Sequence, residues 1–374
     1  MALRVECHDK MRALKGKRIT IAGAGPSGLA ASIILAREGR TVEVIERGPH
    51  PGHRYTGGFQ VIDDYSLSEG VVDFFHRTHL PRPDLFYPLQ QAVFFTPDGK
   101  SHTVNSAKPY GYLIRRRIEG SLDRALFHAA QESGVTFQFQ TIARSADITA
   151  TGPKQVDGVS MERHFSTDSK TRIWVLFHPE LAPGGYAYLF THNGSGTFGT
   201  AITRKFRKLP SCFDASLNFF RYLEPVPMED IQVGHSYMNF FIKNSAVEAG
   251  TLYSGEAGGF QDFLFGLGLR QAMATGVLAA ESLLTGEDYD TLWKTLLGSR
   301  PRVSLVNRFL YELGGAFGLN RFIALAAEKD FQTFLRSWVR GTGFHHCLYP
   351  IVALLWKNRG TCGHTLIPHW CRRR

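Results

Sequence analysis

Long apolar runs are missing from this sequence. The longest one toward its end, LYPIVALLW from Leu348 to Trp356, has nine residues, whereas a spanning helix needs roughly 20, so a membrane-crossing chain is not expected. Cysteine is scarce: five residues at irregular positions among 374 argue for reduced thiols rather than a disulfide framework. The opening stretch MALRVECHDKMRALKGK is charged throughout and lacks the apolar segment of a secretory signal, so it reads as a tail and the expected location is cytoplasmic. No internal repeat of roughly 20 to 50 residues occurs, which sets aside solenoids and propellers. Low-complexity blocks are absent too.

What is present is an ordinary globular composition, 43% hydrophobic and 20% charged, in a chain long enough for two domains with shared buried contacts. Glycine is abundant at 38 positions, above the usual ~7%, which suits tight turns and close backbone approach to a ligand. The net charge is +10. From Pro301 onward eleven Lys or Arg face three acids, so this last fifth carries +8 of it, interleaved with Phe317, Phe322, Phe331, Phe334, Trp338, Phe344, Trp356 and Trp370. Such a region could rest peripherally on an anionic membrane surface, meet a phosphorylated substrate, or be a solvated basic face. A nucleic-acid partner is not expected. Cys347, Cys362 and Cys371 lie near His345, His346, His364 and His369, but their spacing does not follow the C-x₂₋₄-C pairs of zinc sites. A set of Cys362, His364, His369 and Cys371 could still assemble; ordinary thiols and imidazoles are the simpler reading, and no metal is expected.

Strand, glycine turn, helix and strand follow one another from Arg18 to Gly48: RITIAGAG, PSGLAASIILAREG, then TVEVIER, one βαβ unit. A second helical stretch, GSLDRALFHAAQESG, leads into VTFQFQTIA and a turn-rich break near residue 152. Beyond it TRIWVLFHP, GYAYLFTHNGSGTFGTAI and HSYMNFFI read as a largely antiparallel sheet. Near residue 252, LYSGEAGG and FGLGLRQAMATGVLAAESLLTG return to a strand, turn and helix. The expected fold class is therefore α/β: a discontinuous Rossmann-like domain (17–80, 110–155 and 250–298), an inserted, mainly antiparallel substrate domain (81–109 and 156–249), and a basic helical region (299–374) after a tail (1–16).

GAGPSG supplies Gly23, Gly25 and Gly28 at the G-x-G-x-x-G spacing, between an apolar strand and a helix that begins at Pro26 and Ser27. The first glycine permits the turn, the second lets the backbone approach a pyrophosphate, and the third lets helix and strand pack closely. The helix start then offers N–H groups and a partial positive charge to phosphates. Glu46, followed by Arg47, ends the second strand where an acid accepts hydrogen bonds from adenosine ribose hydroxyls and disfavours a 2′-phosphate. The fingerprint alone does not separate FAD from NAD. A second motif late in the chain, Gly255-Glu256-Ala257, favours FAD, with Glu where the usual G-D-A-A has Asp. Gly266 and Gly268, next to Leu269, would let backbone amides reach the isoalloxazine and stabilise charge that develops there.

Four segments in order, GAGPSG with Glu46, YLIRRRIEGSLDRAL, GGYAYLFTHNGSGTFGTAI, and SGEAGG with FGLGLRQAM, make most of residues 17 to 290 resemble the geranylgeranyl reductase family of FAD-dependent oxidoreductases, whose architecture is that of glutathione reductase. The resemblance implies that an Arg ahead of the L-D-R-A-L helix contacts the FAD phosphate or adenine; Arg115 and Arg116 both match. It implies that Tyr186, Tyr188 and Phe190, which a strand projects to one face, pack against an isoprenoid chain. The sequence departs from the family where a flavin-side loop carries Trp and Cys, reading GHRYTGGFQVIDDYS instead; this leaves the proton donor unassigned, with Tyr55 of that loop a candidate and surface packing its simpler role. Aromatic hydroxylases of this architecture carry an Asp-Gly motif where this chain has Ala150-Thr151-Gly152-Pro153, and the W-x-W-x-I-P signature of flavin halogenases is absent. No second glycine fingerprint marks an NADPH domain, so an external donor, NADPH or ferredoxin, is expected. The expected activity is reduction of carbon–carbon double bonds in a prenyl or other apolar substrate. The alternatives are a flavin monooxygenase and a non-catalytic electron-transfer flavoprotein at a membrane surface.

Overall fold

The computed structural model describes residues 18–153 and 156–357. The tail (1–16) lies outside the described residues, as do Cys362, His364, His369, Trp370 and Cys371. Strands β1 (Ile19–Ala22) and β2 (Val42–Ile45) flank helix α1 (Pro26–Arg37). Alternating β-branched residues place Ile19, Ile21, Val42 and Val44 in the core. Proline in the first turn of α1 needs no N–H there and has its φ preset for a helix. The chain continues through β3 (Phe59–Asp63), α2 (Val71–Thr78), β4 (Tyr87–Leu89), β5 (Gln91–Phe95), β6 (Ser101–Asn105), β7 (Gly111–Arg115), α3 (Leu122–Glu132), β8 (Thr136–Gln138) and β9 (Ile148–Thr149). Next come β10 (Gly158–Ser166), β11 (Arg172–Leu176), β12 (Tyr186–His192), β13 (Ser195–Ile202), α4 (Leu209–Leu223), β14 (Glu229–Met238), β15 (Val247–Glu248) and β16 (Thr251–Tyr253). Helices α5 (Leu269–Thr285), α6 (Tyr289–Leu297), α7 (Arg300–Ala327), α8 (Phe331–Arg340) and α9 (Gly343–Lys357) complete it.

Three sheets result. The first has the order β15-β16-β9-β1-β2-β8 and is parallel apart from the β15–β16 hairpin at its edge. Helix α1 is buried on almost every side because it packs against both α3 and α5. The second sheet has the order β14-β10-β13-β12-β11-β5-β6, and every neighbouring pair is antiparallel except β11 with β5. A third, smaller sheet, β3-β7-β4, joins the two. The architecture is thus a Rossmann-like α/β layer assembled from separated stretches of chain, a large antiparallel sheet and a helical C-terminal region.

The two faces of the large sheet do different work. On one, Phe213, Leu217 and Phe220 of α4 cover Leu176, Leu189 and Phe198; the three- and four-residue spacing of the buried positions in LPSCFDASLNFFRYL makes this an amphipathic helix. That helix falls within a stretch whose strand runs dominate the pattern, and the sequence reading did not anticipate it. The other face carries Tyr186, Tyr188 and Phe190, alternating in β12 with the oppositely directed Ala187 and Leu189. The C-terminal helices dock beside this second face through Leu319, Ile323, Phe331 and Leu335. Two polar ties hold them. Asp330 caps α8 by accepting from Thr333 N at 2.9 Å, and its other oxygen accepts from Ala107 N at 2.7 Å. Arg308, fully buried, binds Glu312, the Gly184 carbonyl and Thr203 Oγ1. The basic C-terminal region is therefore not wholly a solvated face.

Candidate functional site

A cavity of about 280 Å³ lies between the N-terminal end of α1, the loop before α5, and the face of the large sheet that α4 does not cover. At its first end the glycine fingerprint divides its work by position. Gly23 turns with φ +105, and a side chain there would collide with the Ala150 carbonyl at 2.4 Å. One at Gly28 would meet the Gly23 carbonyl at 2.0 Å, so strand and helix pack in backbone contact. Gly25 differs: nothing stands within 4 Å of its would-be Cβ, and it lines the cavity together with Pro26 and Ser27. Helix α1 has no side-chain cap and no acid in its first turn, so the helix's positive end is left to whatever occupies the cavity.

Glu46 and Arg47 line the same end. The Glu46 carboxylate accepts from Ala24 N (2.8 Å) and Gly48 N (2.7 Å), which orients it while each oxygen keeps a second lone pair. Arg47 lies 3.4 Å from the Tyr237 hydroxyl, to which it donates.

The two candidate arginines go different ways. Arg115 is not among the cavity-lining residues: its guanidinium donates to the Gly57 carbonyl (2.9 Å) and Ser195 Oγ (3.3 Å). Arg116 does line the cavity but is bound bidentately to Asp123 at 2.7 and 2.8 Å, both partners being almost wholly buried. Its plane covers the Tyr55 ring at 4.0 Å. The acid of the L-D-R-A-L helix thus serves as the anchor of Arg116, whose charge holds the Asp123 carboxyl low against burial. Another cation, which the sequence reading overlooked, is better placed for a ligand. Arg54 donates to Tyr55 Oη (2.9 Å), lies 3.8 Å from Glu256 and lines the cavity. A lone Arg in GHRYTGG carries no periodic or motif signal, and only the fold turns it inward.

Beside the start of α1, where Ser27 Oγ donates to Ser254 Oγ at 2.8 Å, β16 runs into a short 3₁₀ turn, Gly255–Gly258, and α5 follows from Leu269. Gly255, Glu256, Gly266, Gly268 and Leu269 all line the cavity. Glu256 accepts from Asn239 N at 3.0 Å, and burial pushes its carboxyl up to about 7, against the opposing charge of Arg54. Burial likewise pushes nearby Asp157 up to about 7. Gln261 Oε1 is buried here without a hydrogen-bond partner, although its amide group donates to the Gly266 carbonyl.

The sheet wall presents Tyr186, Tyr188 and Phe190 together. Tyr186 donates to the Phe265 carbonyl (2.7 Å), pinning the loop before α5 to the aromatic strip. Across β13 from Tyr188, on β10, stands Glu162, which also escaped the sequence reading. The Tyr188 hydroxyl donates to it at 2.7 Å.

A bare glycine edge beside an uncapped helix start, an acid oriented by two backbone amides at the end of β2 and an unpartnered buried amide oxygen fit a dinucleotide cofactor. The aromatic wall suits an apolar ligand.

Comparison with known proteins shows what the chain is similar to. Residues 21–75 match the model of an NAD(P)-binding Rossmann-like domain. The digeranylgeranylglycerophospholipid reductase of Methanocaldococcus jannaschii is 24% identical over 336 residues, covering 74% of this chain and 82% of that protein. The protein of the same name from Methanosphaerula palustris is 25% identical over 318 residues, 70% of this chain and 75% of its own. Among solved structures, a geranylgeranyl bacteriochlorophyll reductase-like protein of Thermoplasma acidophilum superposes with a TM-score of 0.70 at 16% identity, over 91% of this chain and all of that one. Over most of its length the chain is thus similar to proteins of the geranylgeranyl reductase type.

Proposed function

We propose that the cavity binds FAD and that the protein reduces carbon–carbon double bonds of a prenyl or similarly long apolar substrate. The observation that carries this reading is the meeting, in one cavity, of the fingerprint end of α1 and the Tyr186–Tyr188–Phe190 strip. The open edge at Gly25 and the positive end of α1 would receive the pyrophosphate, with Arg54 as a cavity-lining cation. Glu46 would accept from the adenosine ribose, Glu256 from the ribityl chain, and the amides around Gly266, Gly268 and Leu269 would face the ring. Bound FAD supplies the hydride chemistry. The protein's own contribution is to hold the olefin between aromatic side chains and the loop before α5, and to keep water out. In this reading residues 17–80, 110–155 and 250–298 form the cofactor domain and 81–109 with 156–249 the substrate domain. The reductant is external, NADPH or ferredoxin.

We further infer that the C-terminal helices bring the protein to the surface of an anionic membrane, where a lipid substrate resides. No helix among the described residues is long and apolar enough to cross one. Phe317, Arg321 and Leu325 recur at steps of four on α7, and Phe344, Ile351 and Leu355 share a face of α9. All six are exposed, the apolar ones reaching 74% at Phe317 and 58% at Phe344. Exposed apolar stripes beside arginines are the pattern of an interfacial helix.

The test is a visible spectrum of the purified protein, anaerobic reduction, and addition of geranylgeranyl diphosphate. Flavin bands that bleach and then return on adding the olefin support the reductase. Flavin that stays reduced until oxygen enters points to a monooxygenase, and absence of flavin after reconstitution with FAD refutes the reading.

A further inference from the structure

Adding hydrogen across a double bond needs a proton as well as a hydride, and the cavity must hold the group that gives it. Four carboxyls line the cavity. Asp123 is bound bidentately by Arg116, which keeps it ionised. Glu46 accepts from two backbone amides, and Glu256 lies at the cofactor end beside Arg54. Glu162 alone of the four stands on the sheet wall, among the aromatic side chains that suit the olefin.

We propose that Glu162 is the proton donor to the olefinic carbon that does not receive the hydride, with Tyr188 as its positioning residue and His164 as its route of reprotonation. The proposal rests on the olefin-reducing reading above. Its geometry depends on one glycine. In the large sheet Gly199 of β13 pairs with Tyr188 on one side and with Glu162 on the other. A Cβ at Gly199 would lie 2.4 Å from the Tyr188 ring and 2.5 Å from its hydroxyl oxygen. The missing side chain therefore lets the phenol lie across β13 and donate to Glu162 Oε1 at 2.7 Å.

The other oxygen, Oε2, is 3.6 Å from His164 Nε2. That nitrogen is buried with no hydrogen-bond partner, while Nδ1 engages Thr197 Oγ1 at 3.1 Å. The imidazole thus points a free nitrogen at the carboxyl. Burial raises the Glu162 carboxyl above the usual range, which keeps it protonated to higher pH. The groups that face it are Tyr186 and Tyr188 from β12, His164 from its own strand, and Arg54 and Arg116 from the loops opposite; the two guanidiniums oppose the rise without cancelling it. Burial holds His164 down, to about 4, so it is neutral and able to pass a proton on.

In the step, one olefinic carbon gains the hydride, whose electron pair comes from the reduced flavin. The π pair forms a C–H bond at the other carbon with the Glu162 proton as its O–H bond breaks. The carboxylate left behind regains a proton from solvent by way of His164.

Two measurements test this. In infrared spectra of the flavin-free protein, the difference between wild type and E162Q contains the stretch of one protonated carboxyl, beside those that Glu256 and Asp157 contribute to both proteins. In anaerobic single turnover, geranylgeranyl diphosphate reoxidises the reduced wild-type flavin, and E162Q does so about a hundredfold more slowly or worse while holding flavin equally tightly. An E162Q that reoxidises at the wild-type rate, or infrared spectra identical for the two proteins, overturns the proposal. A wild type that fails to reoxidise refutes the olefin reading instead. Should E162Q not retain flavin, the wild-type pH profile decides. The rate falls as pH rises through the titration of a carboxyl above its ordinary range, and a profile flat from about pH 5 to about pH 9 overturns the assignment.

Discussion

Replacing Arg116 by Met should show that this residue acts first on stability and only through it on the cofactor. The guanidinium meets Asp123 at 2.7 and 2.8 Å, with the two side chains 3% and 0% exposed. It also donates to Gln60 Oε1 at 2.9 Å. With Arg116 gone, Asp123 keeps the amide of Arg117 at 3.0 Å as a donor, which leaves a buried carboxylate without its counter-charge. Breaking a buried pair in this way costs about 3–5 kcal/mol, against a total stability of roughly 5–15 kcal/mol for a folded protein. Urea unfolding of the flavin-free protein at neutral pH measures it. The double variant R116M/D123L should recover most of the loss, because replacing both partners by apolar groups removes the desolvation cost as well. The pH dependence has a defined sign. Arg116 holds the Asp123 carboxyl below its ordinary value, so the wild-type contribution is present above the unfolded carboxyl range and is lost as pH falls through the lowered value. In R116M the penalty instead eases on acidification, when Asp123 takes a proton. The comparison variant is R54M, which should weaken FAD retention at least tenfold, the ~1.4 kcal/mol of one modest charge-assisted contact, with little change in unfolding. An R116M protein within about 1 kcal/mol of wild type, or one that loses flavin affinity while its unfolding is unchanged, would refute the assignment of Arg116 to the scaffold.

Three further outcomes are expected. Gly199→Ala forces the Tyr188 ring aside, since its new Cβ would stand 2.4 Å from that ring; overpacking should cost about 1–3 kcal/mol, and the tyrosine absorption should report a displaced phenol. Glu256, pushed up to about 7 by burial, keeps its proton in the folded chain to higher pH than in the unfolded chain. Its contribution is therefore present below the ordinary carboxyl range and lost as pH rises toward about 7, and E256Q should flatten the stability profile of the flavin-free protein across that window. Paired F317E and F344E changes, at side chains 74% and 58% exposed, should abolish sedimentation with anionic vesicles while leaving the flavin spectrum intact; unchanged sedimentation would remove those helices from the membrane surface.

Much of the cavity's fingerprint end was legible because its signals are local. Gly23, Gly25 and Gly28 sit within one turn of chain between a β-branched strand and a helix begun by proline, and the structure places Gly25, Pro26 and Ser27 against the cavity. The alternation of Tyr186, Tyr188 and Phe190 is equally local, since a strand turns every second side chain to the same side. Helix α4 was missed because its amphipathic spacing lies among strand runs. Arg115 was a candidate on adjacency to Arg116, yet consecutive residues at the end of a strand project in opposite directions, and one enters the cavity while the other does not.

The sequence by itself thus determined the βαβ unit, the acid that ends its second strand, the late glycine loop and the one-sided aromatic strip, all set by neighbours a few residues apart. Tertiary structure alone decided that Arg54 faces Glu256, that Asp123 is claimed by Arg116, and that Tyr188 reaches Glu162 across Gly199. Each of the long-range choices depends on strand register or loop packing. A one-residue slip in β13 would put a side chain where the phenol now lies, and no periodicity in the sequence records which residue of β13 stands between Tyr188 and Glu162.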